Sequence, residues 1–333
     1  MNIRNEARFF GALLVVALAL LAAMRDASAA DAPAKVARVG YFSIGAPLPG
    51  VGSSLIVQEL AKLGYAEGKN LVLEVRHANG NPDRLPEAAA ELVKLDVDVI
   101  YAVTNPAGFA AQAATRKIPI VVWAAHGAVE TGLVSSLRRP GGNLTGVESL
   151  APELDAKRIE LLKQIVPGLA RLAVLYDAGD QGSPLHMKAI EAAGKALGVA
   201  FTTLEVRRPE DFDPVLAAAS ARPLGGVLTL TSNLTFRNSK RIMDFALDNR
   251  LPSLCEFKEL TQAGCLLSYG ATLNELTQRC AALIDRILKG TPPGDLPVEQ
   301  MTRFELVVNP KTATALGITI PQSLLLRADE VIQ

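Results

Sequence analysis

Ala37-Arg38-Val39-Gly40 opens the first apolar β-type run of the chain, and Ala170-Arg171-Leu172-Ala173 restates it in the second half. Leu73-Glu74-Val75-Arg76 likewise recurs as Leu204-Glu205-Val206-Arg207. Thr104-Asn105 closes one buried strand, and Ser232-Asn233 closes another. Ile118-Pro119-Ile120 finds its counterpart in Leu251-Pro252-Ser253. Any one match is within chance. Four in the same order at nearly one offset imply two lobes of like topology. The period is far too long for a solenoid.

The runs between these landmarks set the fold class. Val39–Phe42, Leu71–Arg76, Val97–Ala102 and Ile118–Trp123 read as short apolar strands. Helical patterns separate them: one over Ser53–Leu63 and one begun by Asn81-Pro82-Asp83, with Leu85, Ala88, Leu92 and Leu95 on one face. Strands apolar on both sides, alternating with helices, predict an α/β protein whose parallel sheets are covered on both faces. After the second copy come a strand at Cys265–Tyr269, a helix at Asn274–Lys289, a linker Thr291-Pro292-Pro293-Gly294, a strand at Phe304–Val308 and a short helix at Pro310–Leu316. These have no repeat partner and are read as the chain crossing back between lobes.

Composition narrows the function classes. The chain has 333 residues, 49% of them hydrophobic, and Lys+Arg balances Asp+Glu at 34 each. No basic stripe or arm appears, which argues against nucleic acid as a partner. At the start, Arg4 and Arg8 precede an uncharged apolar run from Phe9 to Met24 and then Ala27-Ser28-Ala29. That is the layout of a secretory signal peptide over residues 1–30, with cleavage expected after Ala29 or Ala30. The run is short for a spanning helix, which needs about 20 apolar residues. With no cysteine near that position, lipid anchoring is not expected. Of three cysteines, Cys280 falls in step with Leu276, Leu283, Ile284 and Ile287 on a helix face. Cys255 and Cys265 end one strand pattern and begin the next; a disulfide and two separate buried thiols both fit. No Cys/His cluster has metal-ligand spacing, and no cofactor or metal is expected.

In open parallel sheets, ligands bind at the carboxyl ends of the strands, near the point where strand order reverses. Two lobes facing each other make a cleft from such ends. The loops selected are Ser43–Ala46, Thr104–Ala107 and Ala125–Gly127 in the first lobe, and Tyr176–Gly179, Ser232–Leu234 and Glu256-Phe257 in the second. The candidate ligand-binding residues are Ser43, Thr104, Asn105, His126, Tyr176, Asp177, Ser232, Asn233 and Glu256. Hydroxyls, amides and free N–H groups ahead of helices suit a carboxylate. Asp177 and Glu256 are placed as ammonium partners, and Phe42, Tyr176 and Phe257 as apolar walls. Together they suit a small polar or zwitterionic molecule resembling an amino acid. Ser, Thr, Asn and Asp are also the ordinary helix N-caps. Trp123 reads as a core residue. No nucleophile–base pair is evident, so no catalytic residue is assigned.

Longer segments resemble a known family. They are Leu63-Gly64-Tyr65-Ala66-Glu67-Gly68-Lys69-Asn70-Leu71, Arg139-Pro140-Gly141-Gly142-Asn143-Leu144-Thr145-Gly146, Leu296-Pro297-Val298-Glu299-Gln300 and Ala315-Leu316-Gly317-Ile318-Thr319-Ile320-Pro321. The chain from Val39 to Glu330 resembles the ABC-transporter substrate-binding proteins of the group that includes the tryptophan- and tyrosine-binding proteins. The resemblance implies a type I periplasmic-binding-protein fold: two Rossmann-like lobes with parallel sheets joined by a three-crossover hinge. On that reading residues 37–148 plus 259–296 form lobe 1, and residues 149–258 plus 297–333 form lobe 2. It also implies a periplasmic monomer that hands its ligand to an ABC permease. A ligand-sensing protein serving a membrane receptor is the alternative, and a periplasmic enzyme is a third. Family members often carry an Asp-Pro-Val segment after the fourth strand, before Thr-Gly-Leu; the stretch here is His126-Gly127-Ala128-Val129-Glu130-Thr131-Gly132-Leu133, with no Asp-Pro. An aromatic residue commonly stands in place of Cys255.

Overall fold

A computed structural model describes residues 36–47 and 52–332. The expected signal peptide lies outside the described residues. The first lobe runs β1 (Ala37–Ser43), α1 (Ser53–Lys62), β2 (Leu71–His77), α2 (Leu85–Lys94), β3 (Val99–Val103), α3 (Thr104–Ala114), β4 (Ile120–Ala125) and β5 (Leu144–Glu148). The second runs α4 (Ala151–Ile165), β6 (Arg171–Asp177), α5 (Ser183–Leu197), β7 (Ala200–Val206), α6 (Phe212–Ser220), β8 (Val227–Thr229), α7 (Asn233–Arg237), α8 (Ser239–Asp248), β9 (Ser253–Cys255), α9 (Lys258–Gln262) and β10 (Leu267–Gly270). The chain then returns to the first lobe with α10 (Leu273–Leu288) and β11 (Glu299–Gln300). It ends in the second with β12 (Glu305–Val308), α11 (Pro310–Leu316), α12 (Gln322–Leu325) and β13 (Glu330–Val331).

The first sheet has the order β11-β5-β4-β3-β1-β2 and the second β13-β12-β10-β9-β8-β6-β7. Read from β2 and from β7, both begin with the same doubly wound order. Its reversal lies between β1 and β3 in one lobe and between β6 and β8 in the other. Every pairing among the described strands is parallel except β10 with β12. The two lobes are therefore α/β units of like topology.

The lobe boundaries differ from the expected ones. The strand after Cys265 does not return to the first lobe: Leu267 and Ser268 pair with Leu254 and Cys255 of β9. The crossings fall after Glu148, after Gly270 and after Gln300. They place residues 271–301 with the first lobe and residues 149–270 plus 302–332 with the second. The reason is that an apolar strand joins whichever sheet has an open edge beside it. β9 offers one at β10, and β12 then covers β10 from the other side.

Four apolar clusters fill the molecule, one on each face of each sheet. α10 shows why its segment is helical. Thr272 caps it by accepting from Glu275 N at 3.1 Å, and Leu276, Cys280, Leu283, Ile284 and Ile287 share one buried face. Burying each such aliphatic side chain stabilises the fold by about 1.5–3 kcal/mol. Among the described residues, no helix is long and apolar enough to cross a membrane.

Candidate functional site

The strands of both lobes end at a cleft of about 730 Å³, counting its open mouth. Tyr41 on β1 and Tyr101 on β3 are register partners, so both rings stand on one face of the first sheet, with centroids 5.8 Å apart. Trp123 on β4 continues that face. Its indole Nε1 donates to Thr277 Oγ1 at 3.1 Å, and its ring stacks on Phe257 of the second lobe at 6.3 Å. Phe236 meets Phe257 edge-on at 6.4 Å. Five aromatic rings from two lobes thus line the cleft, with Leu55, Val103 and Leu273 between them.

The polar lining is mostly neutral. Thr104, Thr231, Ser232, Asn233 and Thr277 line the cleft, together with His126 and Arg237. Thr104 begins α3, whose first turn has no side-chain cap, and it holds φ at 67°. A β-branched residue rarely adopts that conformation. An uncapped helix N-terminus leaves backbone N–H groups free for an anion. On the opposite wall Ser232 does cap α7, accepting from Thr235 N at 3.2 Å. Arg237 reaches across the mouth and donates from Nη1 to Ala46 O at 2.6 Å. Burial pushes the Tyr41 phenol up to about 12 and raises that of Tyr101 well above its ordinary value, so both are neutral donors at physiological pH.

Of the nine candidates, Thr104, His126, Ser232 and Asn233 line the cleft, and five do not. Ser43 is fully buried and donates to Gly45 O at 2.6 Å, shaping the loop after β1. Asn105 clamps the His126 loop: its Nδ2 donates to His126 O at 2.8 Å and its Oδ1 accepts from His126 N at 3.0 Å. Tyr176 points to the β7 side, where its hydroxyl meets Glu205 Oε1 at 2.6 Å. Asp177 sits behind Ser232 and accepts from Gly179 N at 2.8 Å; burial raises its carboxyl to about 6. Glu256 turns into the second lobe and is buried, and neither carboxylate oxygen has a hydrogen-bond partner among the described residues. The two expected ammonium partners are therefore both absent from the lining. Phe42 is in the core between β-sheet and α2, whereas Trp123, expected in the core, lines the cleft.

Tyr41, Tyr101, Phe236 and Arg237 escape the sequence reading. The available signal is strand alternation at the sheet's reversal point, which puts Tyr41 and Tyr101 at matching positions. Cys255 and Cys265 are joined as a disulfide, and Cys280 is buried on α10. The bond ties the end of β9, just before Glu256-Phe257, to the start of β10.

The profile of the family described as "ABC transporter substrate binding protein" matches residues 53–332. A tyrosine-binding protein of Clostridioides difficile is 25% identical over 262 residues, covering 79% of this chain and 75% of the relative. A conserved domain protein from Vibrio cholerae superposes with a TM-score of 0.83 at 27% identity, over 90% of this chain and 100% of that one. A Streptococcus pneumonia protein crystallised with L-Trp gives 0.81 at 23% identity, over 89% and 99%. A leucine-binding protein from Thermotoga maritima shares the fold with a TM-score of 0.54 at 16% identity, over 76% of this chain and 83% of that one. A fold of two doubly wound lobes, a cleft at their strand ends and a family profile spanning both lobes lead to one assignment: the chain belongs to the ABC transporter substrate-binding protein family.

Proposed function

We propose that the protein captures a small aromatic molecule with an acidic end, such as an aromatic amino acid, and delivers it to an ABC permease from the periplasmic side. The observation that carries this reading is the meeting of Trp123 from one lobe with Phe257 from the other in a cleft walled by Tyr41, Tyr101 and Phe236. Flat rings favour flat ligands: stacked and edge-on aromatic pairs contribute about 0.5–1.5 kcal/mol beyond their buried area. The uncapped N-terminus of α3 at Thr104 suits the ligand's carboxylate. The names of the relatives, tyrosine-binding and crystallised with L-Trp, point to the same chemistry. Lobe closure on the ligand is a hinge motion whose equilibrium the ligand shifts, and no bond need be made or broken.

Calorimetric titration with L-tyrosine, L-tryptophan and 4-hydroxyphenylacetate tests this. Saturable heat with at least one, weakened about tenfold or more by Trp123→Ala, is expected. A folded protein that gives no heat with any of the three removes the reading.

A further inference from the structure

Two of the chain's three histidines meet across the seam between the lobes. His126 follows β4 of the first lobe, and His186 lies on α5 of the second. Their rings stand edge-on with centroids 5.1 Å apart, and they are only 5% and 2% exposed. On the second-lobe side the environment is fully built. His186 Nδ1 lies 2.6 Å from Asp155 Oδ2, and Arg158 Nη1 donates to Asp155 Oδ1 at 2.8 Å. Arg158 is anchored further by donating from Nε to Tyr269 O at 2.7 Å and from Nη1 to Ala151 O at 2.8 Å. His186 Nε2, Arg158 Nη2 and both Glu256 oxygens have no hydrogen-bond partner among the described residues.

We propose that His126 and His186 form an acid-sensitive clasp: the lobes stay together while His126 is neutral and part when it takes up a proton. The clasp regulates the cleft proposed above, and it rests on the lobes closing there but not on which molecule they close upon.

The charges around the pair decide the sign. Facing His126 are His186 from α5, Asp155 from α4, Asp180 from the loop after β6 and Glu256 from the end of β9. Burial lowers the pKa of His126 most, and the His186 charge lowers it further. The three facing carboxylates oppose this without reversing it. His186 is also buried, but the charge and hydrogen bond of Asp155 together with the charge of Glu256 outweigh burial and Arg158, and its pKa is raised. The closed form therefore favours a proton on His186, held on Asp155, over one on the His126 ring beside it. Opening would return His126 to water, and with it an ordinary imidazole pKa of about 6.5. The closed form binds a proton on His126 less readily than the open form. Its advantage is fully present above that range and declines below it, by up to about tenfold per pH unit for one proton.

Small-angle X-ray scattering of the unliganded protein reads this directly. The radius of gyration is expected to rise between pH 7.5 and pH 5, and the rise is expected to vanish in His126→Gln. A radius that does not change in the wild type overturns the clasp, as does a change that persists in His126→Gln. Proton NMR supplies a second reading that needs no variant: the His126 ring is expected to titrate below the ordinary imidazole range and His186 above it. Both rings titrating together near 6.5 would also overturn it. Neither measurement involves ligand, so failure here leaves the calorimetric test of capture standing, and the reverse.

Discussion

Thr104 illustrates how a single residue can be committed to a site. Its φ of 67° places a β-branched side chain in the left-handed region at the head of α3, which costs of order 1–3 kcal/mol. Thr104→Gly relieves that conformation and removes a cleft hydroxyl. Its urea unfolding midpoint is expected to rise by the equivalent of about 1 kcal/mol while ligand affinity falls, read by chemical denaturation and titration on the same preparation. Asp177 gives a prediction of opposite character. Burial raises its carboxyl from 3.8 to about 6 in the fold, so between these values the native protein holds a proton that the unfolded chain has released. Stability from this residue therefore falls as pH rises from about 4 to about 6. Asp177→Asn is expected to flatten that segment of the stability–pH curve and to stabilise the protein at pH 7 by about 2 kcal/mol. Residues of this kind are the least legible in sequence. Asp177 and Glu256 stand at strand ends, where cleft residues belong, but which way a side chain turns there depends on the loop that follows. Tyr41, Tyr101 and Trp123 are hidden for another reason. A parallel strand is apolar on both faces, so a ring facing a cleft and a ring facing a helix look alike.

At the scale of elements, the repeat is legible and the endings are not. Four spaced matches predict two lobes, and both sheets show the shared order. The placement of β10 escapes sequence because strand membership is decided by which edge lies open in three dimensions, which the run Leu266–Tyr269 does not encode. The disulfide is undecidable from sequence for a similar reason. Cys265 lies ten positions after Cys255, and α9 has to fold between them before the thiols approach. Closing a loop of that length is worth about 3 kcal/mol in the chain-entropy description. The double variant Cys255→Ala, Cys265→Ala is expected to lose about that much in urea unfolding. Ligand affinity is expected to weaken with it, because Phe257 lies two residues beyond the bridge.

For the whole molecule, closure depends on how near the lobes can come. Gly182 heads α5 with φ at −77°, a conformation any residue adopts. A Cβ built there would lie 2.8 Å from His126 Cβ in the other lobe. The clash falls on the closed form, so Gly182→Ala should raise the unliganded protein's radius of gyration at pH 7.5. It should weaken ligand binding about tenfold or more, as measured by calorimetry. A variant that binds normally would show that the histidine seam need not close so tightly.

The three crossings carry a consequence for the order in which the molecule can be made. The helix that covers one face of the first lobe, and the strand that finishes its sheet, are α10 and β11, and they follow most of the second lobe in the chain. As the polypeptide emerges, the N-terminal lobe stays unsealed, with Leu55, Ile56 and Val121 lacking their α10 neighbours, until α10 and β11 have appeared. Neither half can be a finished folding unit alone, and contacts this distant in sequence form slowly. Completion of either lobe is thereby deferred until nearly the whole polypeptide is available.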